Sequence, residues 1–305
     1  MRIAVVGVGG LGGYLGGRLA HTGQDVTFLA RGERLRALQE AGLRVRAPDG
    51  EFLIQPVQAT DNPAAVGPVD LVLFCVKTYD VIPAAEQIHP LVGPQTALLP
   101  VQNGIEHIEP LRTILGHNAV LGGMVLLNAH SLAPGVIERP GGPNRLELGE
   151  LGGELSARCS AIGEALIQAG IDAVVSPKIE ERMWWKLAVI GGAGVFSVVR
   201  GSKAQFWEIP ETRDLVCQAV AEAVTVANAH GIPLAPTLPD EIIAIGNSNP
   251  PQYKPSMLVD LEHGRRLEVE ALNGAIVRLG QAAGVPTPVN SFLYACLKPY
   301  ADGTK

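Results

Sequence analysis

Arg2-Ile3-Ala4-Val5-Val6-Gly7-Val8-Gly9-Gly10-Leu11-Gly12-Gly13-Tyr14-Leu15 decides the fold. Its opening run, residues 3–6, is apolar without interruption, the pattern of a strand buried on both faces. Residues 11–21 then take on helical spacing. Between the two lies a GxGxxG, Gly7-Val8-Gly9-Gly10-Leu11-Gly12, at a strand-to-helix junction, the context in which that motif binds a dinucleotide. Gly7 is expected to make the tight turn, Gly9 to let backbone approach a pyrophosphate, and Gly12 to let the helix pack on the strand. Gly10 and Leu11 complete the turn. Unpaired N–H groups and the dipole at the helix start would hold the anion. The competing reading is a glycine turn with no ligand.

Working outward, apolar runs at 26–29, 71–76, 97–101 and 120–127 alternate with helical patterns at 34–41, 79–91 and 105–115. Such alternation predicts an α/β fold with a Rossmann-type, doubly wound parallel sheet. Residues 43–46 and 52–57, flanking Pro48-Asp49-Gly50, predict an inserted hairpin. Residues 134–148 read as a further hairpin or loop, followed by a helix over 154–169 and a strand over 172–175. Beyond Pro177 the β-runs stop, and 179–199, 212–230, 239–245 and 267–283 read as helices. The expected division is residues 1–175, a Rossmann-type dinucleotide-binding domain, and residues 176–305, an all-helical domain.

Composition narrows the function classes. Glycine supplies 36 of 305 residues, about 12%, against a usual ~7%, without a collagen-like period. The net charge of −6 leaves no basic footprint for nucleic acid. Cys75, Cys159, Cys217 and Cys296 are far apart, so neither a metal site nor a disulfide framework is expected. The longest apolar stretch, 187–199, is too short to span a bilayer and is interrupted by glycines. With no signal-peptide core before the first glycine, a soluble cytoplasmic protein is expected.

The second strand bears on which dinucleotide binds. NAD sites place an acid near its end to bond the ribose hydroxyls. Here Asp25-Val26-Thr27-Phe28-Leu29-Ala30 ends in Arg31, with Arg34 one turn on. A guanidinium matches a 2′-phosphate in charge and geometry, which favours NADPH; a solvated surface arginine is the alternative.

The chain resembles the ketopantoate reductase (2-dehydropantoate 2-reductase) family over essentially its whole length. The resemblance is carried by the glycine turn with Arg31, Val76-Lys77-Thr78, Gln102-Asn103-Gly104 and Trp185-Lys186-Leu187. Pro255-Ser256-Met257-Leu258 and Glu268-Val269-Glu270-Ala271-Leu272-Asn273-Gly274 match further on. It implies that Lys77 contacts the cofactor and that Asn103 lies beside both the nicotinamide ribose and the reacting carbonyl. Both sit just past the ends of parallel strands, where open α/β sheets bind ligands; for Asn103 before Gly104, an ordinary turn competes. The resemblance also implies that Glu268 binds the substrate hydroxyl and that Ser256 bonds its carboxylate. A surface pair with Arg265 and helix capping, respectively, are the plainer readings.

Lys186 is the expected catalytic residue. It interrupts an apolar helix, where an ammonium is costly without a partner or purpose. Hydride delivery to a ketone develops an alkoxide that needs a proton and a nearby positive charge, and a lysine supplies both. Its alternative is a snorkelling side chain with its head in water.

Pantoate-forming members of the family usually carry asparagines where this chain has Ile190, Gly194 and Tyr253. Losing groups built to bond a hydroxyl loosens selection for a hydroxylated substrate. Tyr253, Lys254 or Arg265 are candidates for binding the carboxylate instead. The expected activity is NADPH-dependent reduction of a small-molecule 2-oxoacid, by default 2-dehydropantoate, in an interdomain cleft. The alternatives are the same chemistry on a less polar or aromatic 2-oxoacid, or a non-catalytic NADPH-binding sensor. The family analogy also implies a homodimer.

Overall fold

The computed structural model describes residues 1–303. Its first half builds β1 (Arg2–Val6), α1 (Gly10–His21), β2 (Asp25–Leu29) and α2 (Gly32–Ala41), then β3 (Leu43–Ala47), β4 (Gly50–Ile54), β5 (Gln58–Thr60) and the short α3 (Pro63–Val66). It continues through β6 (Leu71–Phe74), α4 (Val81–Gln87), β7 (Ala97–Pro100) and α5 (Ile108–Leu115). Five strands form a parallel sheet in the order β5-β2-β1-β6-β7. Alternate residues of β1 face opposite ways. Ile3 and Val5 join a core with Leu15 of α1 and Phe28, whereas Ala4 and Val6 join one with Val81 of α4 and Leu111 of α5. Helices therefore cover both faces, which is why the strands read as unbroken apolar runs.

Two details differ from the sequence reading. The run 120–127 is not a full member of this sheet: only Val120 bridges to Leu98 of β7. The chain then leaves as β8 (Gly122–Leu127), passing so close to Pro100 that a Cβ on Gly123 would lie 2.2 Å from the Pro100 carbonyl oxygen. The fifth strand of the parallel sheet is instead β5, at the edge opposite β7. After β9 (His130–Ala133) and β10 (Val136–Glu138), β11 (Asn144–Gly149) pairs antiparallel with β8. Past α6 (Ala157–Gln168), β12 (Asp172–Val175) pairs with β11 in parallel, completing a three-stranded sheet. The expected hairpin is present as β3 and β4, turning over Pro48-Asp49. β9 and β10 form a hairpin that begins ahead of the 134–148 stretch read as a hairpin or loop, whose end is instead β11, and they extend the first hairpin into a four-stranded sheet, β4-β3-β10-β9.

The remainder is helical: α7 (Ile179–Gly192), α8 (Gly194–Val199), α9 (Lys203–Phe206), α10 (Pro210–Ala229), α11 (Leu238–Ser248), α12 (Ser256–Glu262), a π-helical turn over Glu270–Gly274, α13 (Ala275–Ala283) and α14 (Pro288–Leu297). The single helix expected over 179–199 breaks at Ala193, and that over 267–283 opens through the wider π turn. α10 carries Val216, Ala219, Val220, Ala223, Val224 and Ala227 on one buried stripe, the spacing that lets it run through the centre of this core. α14 starts at a proline, and Glu222 of α10 accepts the N–H groups of Val289 (2.7 Å) and Asn290 (2.9 Å).

By its contacts the chain forms two compact units. One is Met1–Gln102 with His107–Ile179; the other is Glu180–Lys305 together with Asn103–Glu106. Four residues following β7 thus pack with the helices rather than with the sheet that delivers them.

Candidate active site

In the sheet-bearing unit, the turn after β1 is built from glycines for distinct reasons. Gly7 has φ +93°, and a Cβ there would lie 2.8 Å from the backbone of Cys75. A Cβ on Gly12 would meet the Gly7 carbonyl oxygen at 2.2 Å, and one on Gly10 the Ala129 carbonyl oxygen at 2.0 Å. Gly9 is different. It caps α1 with φ −86°, and no atom lies within 4 Å of its absent Cβ. No side chain caps α1 and no acid occupies its first turn, so its leading N–H groups meet no competing carboxylate there. The cradle fits the pyrophosphate of a dinucleotide. Leu11 is half-buried and packs its side chain on the core.

Arg31 stands at the end of β2, exposed, where it caps α2 and donates to the Gln87 side chain of α4. Arg34, one turn on, is half-buried with its Nε unpaired. Lys77 is half-buried just past β6, at the head of a single 3-10 turn over Thr78–Asp80. Gln102, to which the sequence reading gave no role, is buried and donates through Nε2 to the carbonyls of Phe74 (2.8 Å) and Val76 (3.1 Å). It ties the ends of β6 and β7 together beside Lys77. Its one signal in the sequence was an amide closing an apolar strand.

In the helical unit, Lys186 is half-buried on α7 between the buried Met183, Leu187 and Ala188. Burial pushes its ammonium down from the usual 10.5 to about 8, with the negative charge of Glu268 pulling the other way. Glu268 itself is buried, just ahead of the π turn. The structure thus brings Lys186 and Glu268 into electrostatic contact across 82 residues of sequence. Arg265, the plainer partner offered for Glu268, instead bonds Asp260 at 3.1 Å.

Asn103 is half-buried in the turn that joins this unit. Gly104 has φ +81°, and a Cβ there would sit 2.5 Å from the Ala271 carbonyl oxygen. The Asn103 turn therefore lies directly on the segment carrying Glu268. Ser256 is exposed as the first residue of α12; Pro255 holds the cap position, and no side-chain bond caps the helix.

Where the family usually has asparagine, Ile190 packs half-buried on the apolar core and Tyr253 sets its ring edge-on to Phe196, 5.8 Å between centroids. Burial pushes the Tyr253 hydroxyl pKa up. Gly194 leaves room for Asn273, whose Oδ1 would lie 2.8 Å from a Cβ at that position. Lys254 and Arg265, suggested as replacement carboxylate binders, are each already paired with an acid, Glu262 at 2.6 Å and Asp260 at 3.1 Å. Among the described residues no cluster could hold a metal ion, and no helix is long and apolar enough to cross a membrane.

Two family models match the chain: "Ketopantoate reductase PanE/ApbA" over residues 3–153, and "Ketopantoate reductase PanE/ApbA C terminal" over 178–301. A 2-dehydropantoate 2-reductase from Mesorhizobium japonicum is 32% identical over 323 aligned positions, covering 99% of this chain and 98% of that protein. The crystal structure of 2-dehydropantoate 2-reductase from Geobacter metallireducens superimposes with a TM-score of 0.92 at 31% identity, covering 98% of this chain and 99% of the other. A D-mandelate dehydrogenase in ternary complex with NADH and anilino(oxo)acetate gives a TM-score of 0.90 at 25% identity, covering 99% and 98%. These likenesses imply a nicotinamide cofactor. The chain belongs to the ketopantoate reductase family and is an oxidoreductase acting on CH–OH groups.

Proposed function

We propose that the protein reduces a 2-oxoacid to the 2-hydroxyacid with NADPH, 2-dehydropantoate being the substrate and pantoate the product, in the cytoplasm. The observation that carries this reading is a half-buried lysine, its ammonium pushed down to about 8, beside a buried glutamate. When bound, NADPH supplies the hydride. The first N–H groups of α1 and the open face of Gly9 would hold its pyrophosphate, and Arg31 its 2′-phosphate, with Lys77 on the same unit. Lys186 Nζ donates a proton to the carbonyl oxygen as negative charge develops there. Its lowered pKa eases that transfer while leaving it protonated at neutral pH. Glu268 holds the charged form of Lys186 and accepts the substrate hydroxyl. Asn103 orients the carbonyl, and Ser256 bonds the carboxylate.

A second reading, a less polar or aromatic 2-oxoacid, is favoured by one observation. Ile190 lines its helix one turn beyond Lys186 with an apolar side chain, and the dehydrogenase of mandelate shares the fold. Loss of NADPH absorbance with 2-dehydropantoate, phenylglyoxylate and aliphatic 2-oxoacids separates the two by kcat/KM. Cofactor binding without turnover of any of them would favour a sensor. A Lys186→Ala variant with undiminished turnover would overturn the mechanism.

A further inference from the structure

Arg278 of α13 lies outside every role assigned above, yet it reaches the turn that carries Asn103. Its Nη2 donates to Glu106 Oε2 at 2.6 Å and its Nε to Glu106 Oε1 at 3.3 Å, a two-pronged grip on a residue 172 positions away. The same guanidinium donates to the Glu270 carbonyl oxygen at 2.6 Å and to Glu270 Oε2 at 3.1 Å. Glu270 is held in turn by Tyr294, whose hydroxyl donates at 2.8 Å, and by Lys298. One arginine therefore joins the Asn103–Glu106 turn to the π segment that begins two residues after Glu268.

Isolated surface ion pairs contribute little, but a two-pronged arginine inside a network of several charges is the exception. The turn has two other anchors on this unit: Gly104 lies against Ala271, and Ile105 packs into the helical core. Glu106 stands at the far end of the turn, where Arg278 grips its carboxylate. Releasing Glu106 loosens the turn at Gly104, a residue whose backbone is permissive, and with it the placement of Asn103.

We infer that Arg278, through Glu106, is a positioning residue that holds Asn103 in register with Glu268. The inference rests on the role proposed for Asn103. A misplaced orienting group lowers the frequency of reactive geometry more than it weakens substrate binding, so the loss belongs in kcat.

The test uses the full chain with Arg278→Met, Arg278→Lys, Glu106→Gln and the double variant Arg278→Met/Glu106→Gln. Hydrogen exchange is followed in a peptide spanning residues 101–107, alongside turnover of the best 2-oxoacid. Arg278→Met and Glu106→Gln are each expected to speed exchange of that peptide and to lower kcat about tenfold, with KM within about twofold. The double variant should be no worse than the poorer single one, because both remove one contact. Arg278→Lys, which keeps charge but not the fork, should recover only part of the loss. Unchanged exchange in the single variants, or faster exchange with undiminished kcat, overturns the inference. Should the parent protein turn over no 2-oxoacid, the proposed function fails, and the exchange measurement still decides whether Arg278 fixes the turn.

Discussion

Lys186 and Glu268 show how burial and a neighbouring charge act in opposite directions on one ammonium. Apolar neighbours on α7 strip hydration from the ammonium and push it down to about 8, and the charge of Glu268 limits the fall. The sign of the pH dependence follows. With Lys186 as the proposed proton donor, reduction needs its ammonium form, so kcat/KM for the oxoacid should be level below about 8 and fall above it. Oxidation of the hydroxyacid needs the neutral amine and should rise through the same point. Replacing Glu268 by Gln removes the charge that favours the ammonium, so the break should move to lower pH. A profile that shifts upward in Glu268→Gln contradicts the pairing. Lys186→Ala should cost kcat about 10²–10⁴-fold, the usual contribution of a positioned proton donor. Steady-state rates against pH for both variants check these outcomes.

At the scale of one element, the turn from β1 into α1 separates folding from binding. Gly7 needs a positive φ and touches the Cys75 backbone, so Gly7→Ala should destabilise the protein by about 2 kcal/mol or more. Gly9 has an ordinary negative φ and open space where a Cβ would go. Gly9→Ala should therefore unfold at nearly the parent's denaturant midpoint while losing NADPH affinity about tenfold or more, since the methyl projects into the ligand's place. If Gly9→Ala binds NADPH as the parent does, the pyrophosphate does not lie over that glycine. The helical unit offers a second contrast. Asn273 is fully buried and donates to the Gly191 carbonyl at 3.0 Å and to Asn290 Oδ1 at 2.9 Å. It joins the end of the Lys186 helix to the π segment after Glu268. Asn273→Ala leaves two buried acceptors without that donor, and equilibrium unfolding should register a loss of about 2–4 kcal/mol.

Over the whole molecule, what the sequence disclosed was local and periodic. The β1–α1 turn, the parallel sheet, the Pro48-Asp49 hairpin and the stripe of α10 all follow from spacing within a few residues. Lys186 was singled out because a charge in an apolar helix is conspicuous. What stayed hidden depends on partners far along the chain: β8 leaving the sheet over Pro100, Gly194 making room for Asn273, and Asn103–Glu106 packing with helices that begin some 75 residues later. Cofactor choice belongs to this scale because ligand binding is read in the stability of the whole chain. Arg31 occupies the N-cap position of α2 without a side-chain cap bond, and its guanidinium donates to the uncharged Gln87 side chain. A ligand at 100 times its Kd stabilises a protein by about 2.7 kcal/mol, and a tenfold weaker one by about 1.4 kcal/mol less. If Arg31 meets a 2′-phosphate, NADPH should raise the unfolding midpoint more than equal NADH does. Arg31→Ala should bring the two cofactors together by lowering the NADPH effect and leaving that of NADH in place. Equal stabilisation of the parent by both would leave the proposed preference for NADPH without support from Arg31.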